Sequence, residues 1–251
     1  MLMRALRGFC FAMFIWTLPA YGFDLVLDSG HSPKSPGAVS CDGTPEYRFN
    51  NALVAHIAAS MANLPDVRVT RTRGNDDEIS LKERVRDTAG KDLFISVHHD
   101  SVQPRFLNGR GRNWGRCSRK ASGFSLFVSR KNPFFRESLA AATILGQSLL
   151  DQGLRPTLHH SEPIAGENRP LLDGKLGIYA YDELTVLKEA RSPAILLEAG
   201  VIVNPVDEKN IRREEFREIV TRAIKAVAGS TMALSGANGD TCGHEKRGKP
   251  P

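Results

Sequence analysis

The sequence predicts an α/β domain: a twisted, mostly parallel sheet with helices on both of its faces. Three observations lead there. Continuous apolar runs suited to buried strands recur along the chain, segments with helical periodicity separate them, and no internal repeat breaks the pattern.

Phe23 to Asp28 is a short apolar run with one polar break and reads as the first strand. Ser29 to Pro45 is rich in Gly, Pro and Ser and must be a loop. Tyr47 to Leu64 sets Leu53, Val54, Ile57, Ala58 and Met61 on one stripe, which is helical spacing. Val67 to Arg71 alternates like a strand, and Ser80 with Glu83 forms a capping box that opens a second helix. Leu93 to Val97 is apolar throughout, as a strand covered on both faces would be. Phe124 to Val128 reads as a strand, Glu137 to Gln152 as a helix, Ala194 to Glu198 as a strand, and Arg212 to Ala228 as the last helix. Thr157 to Leu187 is left as a long connection. Beyond Gly229 the composition turns to Ser, Gly, Asn, Lys and Pro, so 230–251 is expected to be a disordered tail.

The chain has 251 residues, enough for one large domain, and its 41% hydrophobic content is ordinary for a globular protein. Arg4 and Arg7, the apolar run Gly8 to Leu18 and the small-residue pattern Ala20-Tyr21-Gly22 have the layout of a cleavable secretory signal ending at Gly22. The apolar run is shorter than the ~20 residues that span a bilayer, so stable membrane insertion after cleavage is not expected. Removing the signal lowers the formal charge from +6 to +4, a mildly basic balance that nucleic acid, lipid headgroups and cell wall all satisfy. Export favours a periplasmic address, with outright secretion as the other option. It also leaves Cys41, Cys117 and Cys242 in an oxidising compartment, where one disulfide and one free thiol are expected.

Ligand sites in α/β sheets lie at the carboxyl ends of the strands. Three such ends carry polar groups: Asp28 to His31, with Glu46 at the start of the following helix; Ser96 to Asp100, with His98 and His99; and Glu198 to Gly200. Two histidines and a carboxylate can bind zinc and leave a fourth position for water, while a further carboxylate moves protons. Each residue also has a plainer role: a loop histidine, an acid complementing a helix N-terminus, a buried acid paired with arginine.

Leu25 to His31, Pro36-Gly37-Ala38 and Glu46 resemble the opening of the zinc-dependent N-acetylmuramoyl-L-alanine amidases of the amidase-3 type. Arg71-Thr72-Arg73, Leu81, Arg84 and Asp92 to His98 follow in family order, as do Pro193 to Gly200, Asn204 and Asp207-Glu208. The resemblance covers Phe23 to Gly229, so 23–229 is expected to be the catalytic domain. It implies a peptidoglycan hydrolase that cuts the amide between N-acetylmuramic acid and L-alanine. It makes His31, Glu46 and His98 the ligands of one zinc ion per chain, and Glu198 the catalytic acid–base. His98 is preferred to His99 because it directly follows the apolar strand, and strand alternation sends the two side chains to opposite faces. Asp28 is expected to orient His31 from behind. Cys41 and Cys117 lie in loops near this edge and are the preferred disulfide pair.

The chain departs from the family pattern at Ser32 to Ser35, at His99 and Ser101, and in Gly200 to Asn204, which bears on substrate preference rather than on reaction type. Arg105 to Lys120 mixes cations with Phe106 and Trp114. Arg110, Arg112 and Arg116 are its candidate contacts to stem-peptide carboxylates; single-stranded nucleic acid would suit the same mixture, but export removes that partner. His159, His160, Glu162 and Glu167 read as polar surface, an extra metal site, or a wall of the groove. Two other functions compete with the amidase: a non-catalytic peptidoglycan-binding protein of the same fold, and a zinc hydrolase cutting within the stem peptide. A protein activator is compatible with any of them.

Overall fold

The computed structural model describes residues 22–108 and 117–240, so the expected signal segment, Arg110, Arg112 and Arg116, and Cys242 lie outside the described residues. The strand β1 (Phe23–Ser29) leads through α1 (Glu46–Met61), β2 (Val67–Arg71) and α2 (Leu81–Arg84) to β3 (Leu93–Asp100). Next come β4 (Ser125–Val128), α3 (Phe135–Asp151), β5 (Leu171–Asp173), β6 (Ile178–Ala180), α4 (Thr185–Lys188) and β7 (Ala194–Val201). The helices α5 (Pro205–Ile211) and α6 (Glu214–Asp240) follow. No described helix is long and apolar enough to cross a membrane.

All strands join one sheet in the order β2-β1-β3-β7-β4-β6-β5. β1 pairs in parallel with β2 and β3, and β3 with β7. β4 runs antiparallel to β7, and β5 antiparallel to β6. The sheet is therefore mixed, with its parallel centre made of β1, β3 and β7.

The helices cover the two faces unequally. On one face Leu25, Leu27, Ile95, Val97, Ile195 and Leu197 pack against α1, α3 and α6, the three long helices. On the other, Val26, Phe94, Phe127, Tyr179 and Leu196 meet only Val85 and the short helix α4 with Ala190. Strand alternation produces this division, because odd and even positions of β1, β3 and β7 belong to different clusters. Both clusters are apolar, which is why these strands read as unbroken hydrophobic runs.

Three expectations need correction. Thr157 to Leu187 is not a bare connection: it supplies β5, β6, α4 and a 3-10 turn at His159–Ser161. The expected last helix is α6, starting at Glu214, but a short helix not expected precedes it: Asn204 caps α5 by accepting from the Val206 amide, with Pro205 in its first turn. α6 also continues to Asp240, with Met232 packed on the core, so helix occupies 230–240 where a tail was expected. The run from Ser230 to Leu234 contains Met, Ala and Leu, good helix formers that outweigh the neighbouring glycine.

Asn132 fixes the approach to β7. Its buried side-chain amide donates to the carbonyls of Leu187, Ala190 and Ser192 at 2.7, 3.2 and 3.3 Å, and its oxygen accepts from Phe134 N at 2.7 Å. Asn132→Ala strips buried carbonyls of their donor, so we expect a loss of roughly 2–3 kcal/mol in urea unfolding, at an unchanged m-value.

Candidate metal centre and catalytic cavity

The carboxyl ends of β1, β3 and β7 meet on the thinly covered face. Parallel pairing sets Ser29 beside Val97, and His98 beside Glu198. His98 thus lies one strand from Glu198, although 100 residues of chain separate them.

His31 follows β1 in a left-handed backbone conformation, with φ of +62°. Histidine adopts this region rarely and at a cost. Two buried arginines hold it there: Arg73 donates to the His31 carbonyl at 2.6 Å and Arg84 donates to it at 3.0 Å. Arg84 is in turn paired with Asp28 at 3.0 Å, both side chains being at most 5% exposed. Thr72 and Ser96 each donate to Asp28 at 2.7 Å. Asp28 therefore makes its contacts with Arg84, Thr72 and Ser96 and supports His31 through the backbone, not through its ring.

The His31 ring meets Ser35 O through Nδ1 at 3.2 Å, leaving Nε2 3.2 Å from Glu46 Oε2. The other oxygen, Oε1, lies 3.0 Å from His98 Nδ1. One donor atom from each of the three residues lies within 4.8 Å of the other two. Glu46, the first residue of α1, is fixed further by the amides of Ala38 at 3.0 Å and His99 at 3.3 Å, and by Asn50 at 3.2 Å. Burial opposes its ionisation, but hydrogen bonds and charge from His31 and His98 prevail and hold it well below the usual carboxylate range. Two imidazoles and an ionised carboxylate at these spacings suit a zinc-like divalent ion.

Two glycines make room for this cluster. A Cβ at Gly30 would stand 2.2 Å from His98 Nε2, and one at Gly37 would stand 2.4 Å from Glu46 Oε2 and 2.7 Å from the His31 ring. Both glycines stand within the motifs of the resemblance, but what they make room for shows only in the fold.

His99 belongs to the opposite face. Its Nδ1 is 2.8 Å from Asn50 Oδ1, its ring packs on Phe49, and burial lowers its pKa to about 3. Glu198 projects toward the histidine cluster, and its Oε2 is buried without a hydrogen-bond partner. Burial, then the charges of Asp100 and Glu46, push its carboxyl well above the ordinary range. A half-buried acid with one oxygen unpartnered and a raised pKa is suited to exchanging protons with something bound in front of it.

These groups line a cavity of about 420 Å³, whose far wall comes from Asp100, Gln103, Phe127, His160, Glu167, Arg169 and Tyr181. His160, Glu167 and Arg169 therefore wall the groove. Glu162 faces elsewhere and pairs with Lys120 at 2.9 Å. Burial disfavours charge on His160, but Asp100 and Glu167 raise its pKa to about 9. Cys41, in the loop between His31 and Glu46, is joined to Cys117 as a disulfide with a Cα separation of 5.0 Å.

Residues 25–228 match the model of a family described as N-acetylmuramoyl-L-alanine amidase. The chain is 27% identical over 207 residues to the "probable cell wall amidase LytH" of Staphylococcus epidermidis, which covers 82% of this chain and 57% of that protein. It thus spans little more than half the length of that relative. Among solved structures, the N-acetylmuramyl-L-alanine amidase Ami1 from Mycobacterium smegmatis superposes with a TM-score of 0.65 at 21% identity, covering 86% of this chain and 99% of its own. The CwlD amidase from Clostridioides difficile, in complex with the GerS lipoprotein, gives 0.61 at 18% identity, covering 85% and 100%.

The close approach at Gly30 makes a direct test. Gly30→Ala should displace the His98 ring and weaken zinc binding by at least ~10-fold, a loss of about 1.4 kcal/mol, measured by competition with a chromophoric chelator.

Proposed function

This chain belongs to the N-acetylmuramoyl-L-alanine amidase family, and from that membership we propose that it is a zinc-dependent hydrolase of the amide joining N-acetylmuramic acid to the L-alanine of the peptidoglycan stem. The observation that carries the proposal is the buried, unpartnered Oε2 of Glu198, across a strand pair from the His31, Glu46 and His98 cluster.

His31, Glu46 and His98 would hold one zinc ion, which when bound supplies Lewis-acid polarisation of the scissile carbonyl and of water. Glu198 accepts the proton of the attacking water and delivers it to the departing alanine nitrogen. Its desolvated position favours both transfers: the ionised form is a stronger base than a surface carboxylate, and the protonated form persists long enough to act as the acid. Phe127 and Tyr181 offer apolar wall to the substrate, and the Arg169 guanidinium lies over the Tyr181 ring at 3.8 Å.

Export through the segment ending at Gly22 would bring the enzyme to its substrate, with the periplasm the favoured address. The Cys41–Cys117 disulfide supports an oxidising destination. Arg110, Arg112 and Arg116 remain the proposed contacts to the anionic stem peptide. An activator protein belongs to the same proposal, supported by the lipoprotein complex of the CwlD amidase.

Purified peptidoglycan incubated with the zinc-loaded protein should release peptides with free L-alanine amino ends, and a chelator should stop the release. Free amino ends at another residue would instead assign a cut within the stem peptide; binding without release would favour a non-catalytic wall protein. Glu198→Gln should lower turnover by about 10²–10⁴-fold while zinc content stays at the wild-type level. Turnover retained in that variant would remove Glu198 from the mechanism.

A further inference from the structure

The wall of the cavity contains a second cluster of ligand-type side chains. Asp100, at the end of β3, points Oδ2 at His160 Nε2, 2.8 Å away, and at His159 Nε2, 3.5 Å away. Their donor atoms all lie within 4.8 Å of one another. Tetrahedral zinc with bonds near 2.05 Å sets its ligand atoms about 3.3 Å apart, and these separations straddle that value. The 3.2 and 3.0 Å of the first cluster fall just below it.

The surroundings of the two rings argue for an ion more than the spacing does. His160 Nδ1 is held by Glu167 Oε2 at 2.9 Å, and Glu167 is itself fixed by Gln103 at 2.9 Å. His159 Nδ1 is held by Thr157 Oγ1 at 2.9 Å. Both rings thus have their outer nitrogens occupied by oxygen partners, the arrangement that orients metal-bound histidines. A carboxylate only accepts, so Nδ1 of His160 carries the hydrogen, and Nε2 meets Asp100 through either a second proton or a cation. For His159 no proton link is made: its Nε2 is buried without a hydrogen-bond partner, in a side chain only 5% exposed. One divalent ion among the three residues satisfies both nitrogens and the carboxylate together.

We infer that Asp100, His159 and His160 form a second divalent-metal site, distinct from the His31, Glu46 and His98 cluster and taking a zinc-like ion of mixed nitrogen and oxygen preference. The ion would clamp the 3-10 turn at His159–Ser161 to β3 and so fix the wall that carries Glu167 and Arg169. The inference stands on these contacts alone and does not depend on which bond the cavity hydrolyses.

The test is zinc stoichiometry of the full mature chain, stripped with a chelator, re-titrated with zinc and weighed by native mass spectrometry. Wild type should hold about two ions. His159→Ala, remote from the first cluster, should lose one, and the double variant His31→Ala with His98→Ala should keep one. His159→Gln, with circular dichroism to confirm folding, should lose the same ion. A wild type holding a single ion that vanishes in the His31/His98 variant would overturn the second site and leave the proposed function intact. A single ion kept in that variant but lost in His159→Ala would uphold this site and remove the first. Two ions undiminished by His159→Ala and His159→Gln would put the second ion elsewhere and overturn the inference.

Discussion

The carbonyl oxygen of His31 is the point on which the cavity's geometry depends. It receives Arg73 and Arg84 while its own residue sits in a left-handed conformation that histidine adopts at a cost. Arg84 is anchored by Asp28, a β1 residue three positions before His31 and buried with it. The first ligand is therefore oriented through its main chain by a buried ion pair rooted in β1 and α2. Such a pair adds little net stability, because desolvation offsets much of the attraction. Its effect is to select one conformation of a turn that would otherwise have many.

The sheet and much of its chemistry were legible in the sequence because a strand buried on both faces must be apolar at consecutive positions. β1, β3 and β7 show this, and two of the polar residues that interrupt β3 and β7, His98 and Glu198, line the cavity while Asp28 in β1 supports it from behind. The helix over Glu46–Met61 and the Ser80–Glu83 capping box were legible for local reasons of period and cap chemistry. β5 and β6 were not, since three residues are too few to show a period and Leu171 and Leu172 are exposed. α5 has a local signal in Asn204 followed by Pro205 and two acids, but its seven residues are too short to show a helical period beside the longer α6.

What the sequence does not display is proximity between residues distant along the chain. Arg73 and Arg84 are ordinary cations until β2 and α2 bring them beneath His31. His159 and His160 look like surface polarity until Asp100 is set against them by the bulge where β3 loses register with β7. Gly30 and Gly37 mark a related gap, since the space they keep open is filled by rings arriving from elsewhere.

The order in which the chain leaves the ribosome meets this topology in a particular way. Ala194–Val201 is the last strand of the sheet in sequence but occupies its middle, pairing with β3 on one side and β4 on the other. Until it inserts, the sheet is two separate halves, and this closure links residues about a hundred positions apart, the slow kind of contact to form. A chain interrupted before Ala194 already contains His31, Glu46 and His98 but has no Glu198. Assembly of the cavity is thereby tied to synthesis and insertion of β7, and a nascent chain that has not reached Ala194 carries the candidate ligands without the carboxylate that would act beside them.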